Sequence, residues 1–232
     1  MIDFEEHEFR GCTFLDYPGS FAFKLISDEI ECTAPGTPLG HKGAPYGLVS
    51  GDVVVDIGAH IGIISILLAK ENPEVKFYAF EPMTPIFDAL VQNIKINDVP
   101  NVIPFHFGVA GEECTKTMAH NLMGNSAGSS MWIGDSASTL TYPEKCITAD
   151  QLWELTGRAD IKLLKMDCEG AEHEFVGASK DSEFWKHVTN CVGELHENKL
   201  LNDMGYTNED TKAIIANLVS GDIRFQCIVM AQ

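Results

Sequence analysis

From Asp52 onward the chain alternates short apolar runs of strand character with segments of helical periodicity, and this alternation constrains the fold more than any other feature. Val53-Val54-Val55-Asp56-Ile57 is a continuous, mostly β-branched run, the pattern of a strand buried on both faces. Ile61 to Lys70 reads as an apolar helix and Val75 to Phe80 as a second strand. Thr84-Pro85 then opens a helix, with Thr84 as N-cap, Pro85 at the first helical position, and Ile86, Phe87, Leu90, Val91 and Ile94 on one face. Val102 to Phe107 is a third strand. After an interruption, Thr148 caps a short helix, Ala149 to Leu155, that stops at Gly157. Ile161 to Met166 follows as a strand, Ala171 to Ala178 and Asp181 to His187 as helices, and Asn190 to Leu195 as another strand. A helix from Thr207 to Val219, opened by a Thr207-x-x-Asp210 box, precedes a last strand from Ile223 to Met230.

Strands and helices alternating at this spacing predict an α/β fold with a mostly parallel sheet covered on both faces. The chain of 232 residues has room for one large domain. Residues 51–232 carry the alternating pattern. Residues 1–50 do not: Gly and Pro punctuate short apolar runs such as Phe21 to Ile26, which suits short strands and loops covering a site. Residues 112–147 also break the rhythm. From Thr117 to Gly134 no residue is charged at neutral pH, and a loop of that length is usually functional or hides short strands.

The net charge of −18 disfavours a nucleic-acid or anionic-membrane partner, since both require cationic contacts. The 16 Lys and Arg are dispersed, with no two adjacent. The apolar run from Ile57 to Ala69 is too short to span a bilayer, and the acidic start MIDFEEHEFRGC is neither a signal nor a transit peptide. Seven cysteines without a C-x-x-C pair read as reduced thiols in a cytosolic protein.

In such a sheet, ligands bind beyond the carboxyl ends of the strands, near the point where the strand order reverses. Four strand ends carry chemistry. Asp56-Ile57-Gly58-Ala59-His60-Ile61-Gly62 follows the first strand, and its glycines permit a tight turn and a close backbone approach. It lacks the middle glycine of the dinucleotide fingerprint, and its Asp56 suits a cationic ligand better than a pyrophosphate. A plain strand-to-helix turn explains the same glycines. Glu81, extended by Pro82, ends the second strand roughly 20 residues after Gly58, the interval expected of an acid that binds ribose hydroxyls. Asp167, Glu169 and Glu172 follow the fourth strand. The helix dipole accounts for Glu172 but not for Asp167, which ends an apolar strand. Glu194 and His196 stand two apart after the fifth strand and share a face, so His196 is a candidate base or metal ligand.

VVVDIGAHIG, FYAFEP, IKLLKMDCEGAE and GELHE, in that order between Asp52 and Glu197, resemble the motifs of the FkbM family of class I S-adenosylmethionine-dependent methyltransferases. D-x-E-G-A-E is the most specific of them, and Gly128-Ser129-Ser130 falls where that family often carries a small Gly/Ser patch. The resemblance implies a Rossmann-like, seven-stranded sheet with an antiparallel C-terminal strand, S-adenosylmethionine as cofactor, and an acceptor hydroxyl on a sugar or secondary metabolite. It implies cofactor contacts from Asp56, Gly58, Ala59, His60, Gly62, Glu81, Pro82, Val109 and Asp167. Phe107-Gly108-Val109-Ala110 stands where many such enzymes place an adenine-binding Asp or Asn, leaving backbone near Val109 or the Gly128–Ser130 patch for that role. Asp167 is the first candidate for the base and His196 the second. Asp167, Glu169 and Glu194 are the alternative, as ligands of a divalent metal. Two rival readings are an NAD-dependent oxidoreductase and a non-catalytic S-adenosylmethionine-binding module.

Overall fold

The computed structural model describes residues 4–32, 47–120 and 140–230. The central sheet comprises β3 (Val53–Ile57), β4 (Lys76–Phe80), β5 (Val102–Phe105), β9 (Ile161–Met166), β10 (Val188–Glu197) and β11 (Ile223–Val229). Its spatial order is β11-β10-β9-β3-β4-β5, and every neighbouring pair is parallel.

All five residues of β3 are buried, as a β-branched run with no polar face requires. The twofold alternation of its side chains feeds two separate cores. Val54 packs with α2 (Ile63–Glu71) and α3 (Thr84–Ile96) on one face. Val53, Val55 and Ile57 pack on the other with α4 (Ala149–Leu155), α5 (Ala171–Ser179), α7 (Asn208–Leu218) and the 3-10 helix Glu183–His187. Thr148 caps α4 through a full capping box with Gln151, and Thr207 caps α7. Thr84, by contrast, lies inside α3: Met83 is the N-cap, and the Thr84 N–H and hydroxyl both donate to Glu144.

The parallel α/β sheet is as expected, but two details differ. Six strands form the sheet among the described residues, and the last is parallel to its neighbour. The reason is the connection: α6 (Lys199–Asp203) and α7 lie between β10 and β11, and a helical crossover returns the chain to start the next strand in the same direction. The expected third strand also splits. The chain leaves the sheet after Phe105, and β6 (Gly108–Val109) joins a side sheet of order β6-β8-β7 with β7 (Cys114–His120) and β8 (Leu140–Ile147). The loop of residues 112–147 thus contains two antiparallel strands, while Gly128–Ser130 lies outside the described residues.

Residues 5–32 form a hairpin, β1 (Glu5–Phe9) with β2 (Cys12–Asp16), followed by α1 (Ala22–Cys32). The run Phe21 to Ile26, read as short strand and loop, is helical from Ala22: Phe23, Ile26 and Ile30 recur at helical spacing and turn toward the α2–α3 core. Strand β2 docks on α3 through two asparagines. The Thr13 N–H donates to Asn97 Oδ1 at 2.9 Å and the Leu15 N–H to Asn93 Oδ1 at 2.7 Å. Asn97 and Asn93 donate back to the Thr13 and Leu15 carbonyls. Four helical residues rise about 6 Å and two strand residues about 6.6 Å, so these side chains act as the rungs of an adjacent strand.

Among the described residues no helix is long and apolar enough to cross a membrane.

Candidate active site

The strand order reverses between β3 and β9, and the carboxyl ends of β4, β3, β9 and β10 lie side by side. All four strand ends singled out in the sequence therefore meet on one rim.

Backbone interlocks hold that rim together. Gly58 has φ 76°, and a Cβ there would lie 1.8 Å from the Asp167 carbonyl oxygen. Gly193 has φ 145°, and its Cβ would lie 1.7 Å from the Met166 carbonyl oxygen. The end of β9 is thus wedged between the glycine that follows β3 and a glycine of β10, and this close approach places Asp167. Gly62 serves a different end, letting α2 pack against Leu90 of α3.

Glu81 ties the β3 loop to the start of α3. Its carboxylate accepts the His60 N–H at 3.0 Å and the Met83 N–H at 2.9 Å. Burial pushes its pKa up to about 7 against the lowering effect of those two bonds and of Lys165. Ala59 and His60 are buried in the same loop, the Pro82 carbonyl meets His106 Nε2 at 2.8 Å, and Val109 is buried in β6.

Asp56 faces α2 and is buried. It accepts from Ser65 Oγ at 2.7 Å and pairs with Lys165 Nζ at 3.0 Å. Lys165 stands opposite Asp56 in the β3–β9 register, donates to the Gly58 carbonyl, and lies 3.8 Å from Asp167. Burial works to lower the Lys165 pKa, but Asp56 and Asp167 overcome this and hold it above the ordinary lysine range. This cation was missed in the sequence, where the only signal is a lysine near the end of a strand that is otherwise largely apolar.

Asp167, Glu169, Glu194 and His196 converge on one spot. His196 Nε2 lies 3.6 Å from Glu194, 3.8 Å from Glu169 and 3.9 Å from Asp167. Its Nδ1 lies 3.2 Å from Glu172 Oε1. Glu172 exceeds its expected role as a helix-start acid. It is wholly buried and accepts the Cys168 and Gly170 N–H groups, each at 2.7 Å. Burial alone would raise its pKa, but His196 and the backbone N–H groups hold it low. Burial likewise disfavours a charged His196, yet Glu172, Glu194 and Glu169 outweigh it and raise its pKa to about 12. Burial lifts Glu169 to about 8; His196 opposes the rise, while Asp167, Glu172 and Glu194 add to it. Glu169 also holds a left-handed backbone, φ 54°, which turns its side chain into the cluster's loop. Behind the cluster, buried His173 fixes β10: its Nε2 meets the His196 carbonyl at 2.6 Å and its Nδ1 the Thr211 hydroxyl at 2.7 Å. The Cys168 thiol is held well above its usual pKa by burial, Glu172 and Asp167, so it is no nucleophile.

A family model described as the Methyltransferase FkbM domain matches residues 56–220. Methyltransferase sdnD of Sordaria araneosa is 28% identical over 183 residues, covering 65% of this chain and 68% of its own length. The 31-O-demethyl-FK506 methyltransferase FkbM of Streptomyces tacrolimicus is 26% identical over 174 residues, covering 63% and 66%. The chain spans about two thirds of the length of each of these relatives. Among solved structures, M. jannaschii TYW2 in complex with AdoMet is 27% identical, with 44% of this chain and 42% of that chain covered at a TM-score of 0.31.

Proposed function

The chain belongs to the FkbM methyltransferase family, and from that premise we propose that it is an S-adenosylmethionine-dependent O-methyltransferase acting on a hydroxyl of a small molecule, such as a sugar or a secondary metabolite. The observation that carries this reading is the shared rim. A buried ribose-type acid, Glu81, lies on one side of the switch point and the Asp167 cluster on the other.

The residues present fit the cofactor. Each Glu81 oxygen takes one backbone N–H and keeps lone-pair capacity for a ribose hydroxyl. Gly58, Ala59, His60 and Gly62 would hold the methionine end of the cofactor through their backbone, and Pro82 and Val109 would hold its base. Asp56 acts through Lys165 and Ser65, whose contacts neutralise and orient it, and so shapes the loop rather than reaching outward. The dispersed cations and net acidity suit a cationic cofactor and a neutral acceptor better than a phosphate-rich one. One curated relative is named for a 31-O-demethyl acceptor, which supports oxygen as the methylated atom.

When bound, S-adenosylmethionine supplies an electrophilic methyl carbon on a sulfonium. Transfer of that methyl to an acceptor oxygen would leave the carbon–sulfur electron pair on sulfur and require a protein group to take the hydroxyl proton. Asp167 is the group for that proton. It is partly open at the rim, whereas the carboxylates around His196 hold that ring protonated, with no lone pair to offer. His196 instead orients the carboxylates around it. The residues that would take a divalent metal are these same carboxylates. Acceptor choice falls to residues 1–50 and 112–147.

The test is methyl transfer from cofactor labelled on its methyl group to a panel of hydroxylated acceptors. Asp167→Asn should lower kcat by about 100-fold or more while the variant still binds the cofactor. Full activity in Asp167→Asn would remove its role; failure of the unmodified protein to bind S-adenosylmethionine would remove the reading itself.

A further inference from the structure

We infer that Asp167, Glu169 and His196, with Glu194 at their edge, form a divalent-cation site of the hard-to-borderline class typified by manganese. The inference deepens the reading above, because the cation would lie where the acceptor oxygen arrives. One ligand atom from each of Asp167, Glu169 and His196 lies within 4.8 Å of the others. Bonds of about 2.1 Å would bring such atoms to roughly 3.0 Å apart when adjacent and 4.2 Å when opposite, so only a small contraction is needed.

Three further observations separate this cluster from a patch of surface acids. First, His196 is 3% exposed, and its Nε2 faces Glu194, Glu169 and Asp167 at the centre of the cluster. Those carboxylates stand 3.6, 3.8 and 3.9 Å from it, so one imidazole nitrogen and three carboxylate groups converge on one point. Second, the other ring nitrogen, Nδ1, faces buried Glu172, itself locked by two backbone N–H groups. A histidine that ligates a metal through one nitrogen almost always gives its other N–H to such a carboxylate or carbonyl. Third, charge is unbalanced. Among the described residues, Asp56 and Asp167 pair with Lys165, and Asp167, Glu169, Glu172 and Glu194 with His196, so carboxyl groups outnumber cations. A dication offsets the excess after displacing the Nε2 proton, and Nδ1–H stays with Glu172. Three carboxylates and one imidazole suit manganese or magnesium better than a thiolate-seeking metal. Asp167 and Glu169 remain about one fifth exposed, which leaves an entry path and room for an incoming oxygen.

The experiment is a titration of the full chain with manganese, without cofactor, following free Mn²⁺ by electron paramagnetic resonance. The expected result is one saturable site per chain. Asp167→Asn and Glu194→Gln should each weaken it more than tenfold, and Glu172→Gln by roughly 10- to 100-fold. Exposed Glu183→Gln should leave it unchanged. Circular dichroism and S-adenosylmethionine affinity, measured on each variant without metal, report whether the fold survives. Absence of saturable binding up to millimolar manganese, or binding indifferent to Glu194→Gln and Glu172→Gln in folded variants, would overturn the inference. Manganese binding without cofactor binding would uphold this site and sink the methyltransferase reading. Methyl transfer at full rate in excess chelator would do the reverse.

Discussion

Replacing Gly58 by alanine tests the wedge that places Asp167. Two costs add. At φ 76° an alanine pays about 1–2 kcal/mol for the left-handed conformation. Its Cβ would also lie 1.8 Å from the Asp167 carbonyl oxygen and 2.8 Å from the carbonyl carbon. Overpacking costs about 1–3 kcal/mol where side chains can yield. These atoms are backbone, fixed by the β3–β9 ladder, so the upper end applies. The sum is about 4–5 kcal/mol, or roughly 8–20 °C in Tm for a chain of this size. Gly205→Ala is the matched control. Its φ is 89° but nothing lies within 4 Å of its Cβ, so only the conformational cost remains, roughly 2–8 °C. Differential scanning calorimetry of both variants isolates the clash by subtraction. If Gly58→Ala melts no lower than Gly205→Ala, the backbone contact between β3 and β9 does not constrain the site, and the reasoning fails.

Three other outcomes follow from the same contacts. Burial raises the Glu81 pKa from 4.5 to about 7, so the stability tied to its neutral form is complete below pH 4.5 and is lost as pH climbs through 7. Cofactor affinity runs the other way: the ionised carboxylate binds hydroxyls and a cation better, so calorimetric affinity should rise several-fold between pH 6 and 8, and Glu81→Gln should flatten the rise. Lys165→Met leaves Asp56 buried beside Ser65 without its cation and should cost about 3–5 kcal/mol in urea unfolding, most of it recovered in Asp56→Leu/Lys165→Met. Asn93→Ala strips the Leu15 N–H and carbonyl and the Ile61 carbonyl of a partner, at about 1–3 kcal/mol each if they stay dry. Amide exchange at Thr13 and Leu15 should speed up, and unchanged exchange would mean that β2 is held by its apolar side chains alone.

The layers that depend on local pattern were readable from the chain. The β3 run, the Thr148 capping box and the Thr207 cap all express interactions within a few residues, and each stands where the pattern predicted it. The four strand-end motifs were legible for the same reason, since a parallel sheet gathers its carboxyl ends whatever the detail. Longer-range contacts were not. Helix α1 hides because Pro18-Gly19 and the charges at Lys24, Asp28 and Glu29 mask the spacing of Phe23, Ile26 and Ile30. The Asp56–Lys165 pair depends on the register between β3 and β9, which no local pattern encodes. Glu172 looked like a helix-start acid because that is also what it is; its grip on His196 needs β10 beside it. The antiparallel last strand, implied by resemblance, gave way to a parallel one because α7 lies in the connection.

The central claim is that this rim binds S-adenosylmethionine. Titration calorimetry of the full chain with S-adenosylmethionine and, in parallel, with NAD addresses it directly. The account predicts one site for S-adenosylmethionine, weakened by Glu81→Ala and displaced by S-adenosylhomocysteine, with no heat from NAD. Saturable NAD binding at the same rim without S-adenosylmethionine binding would contradict it.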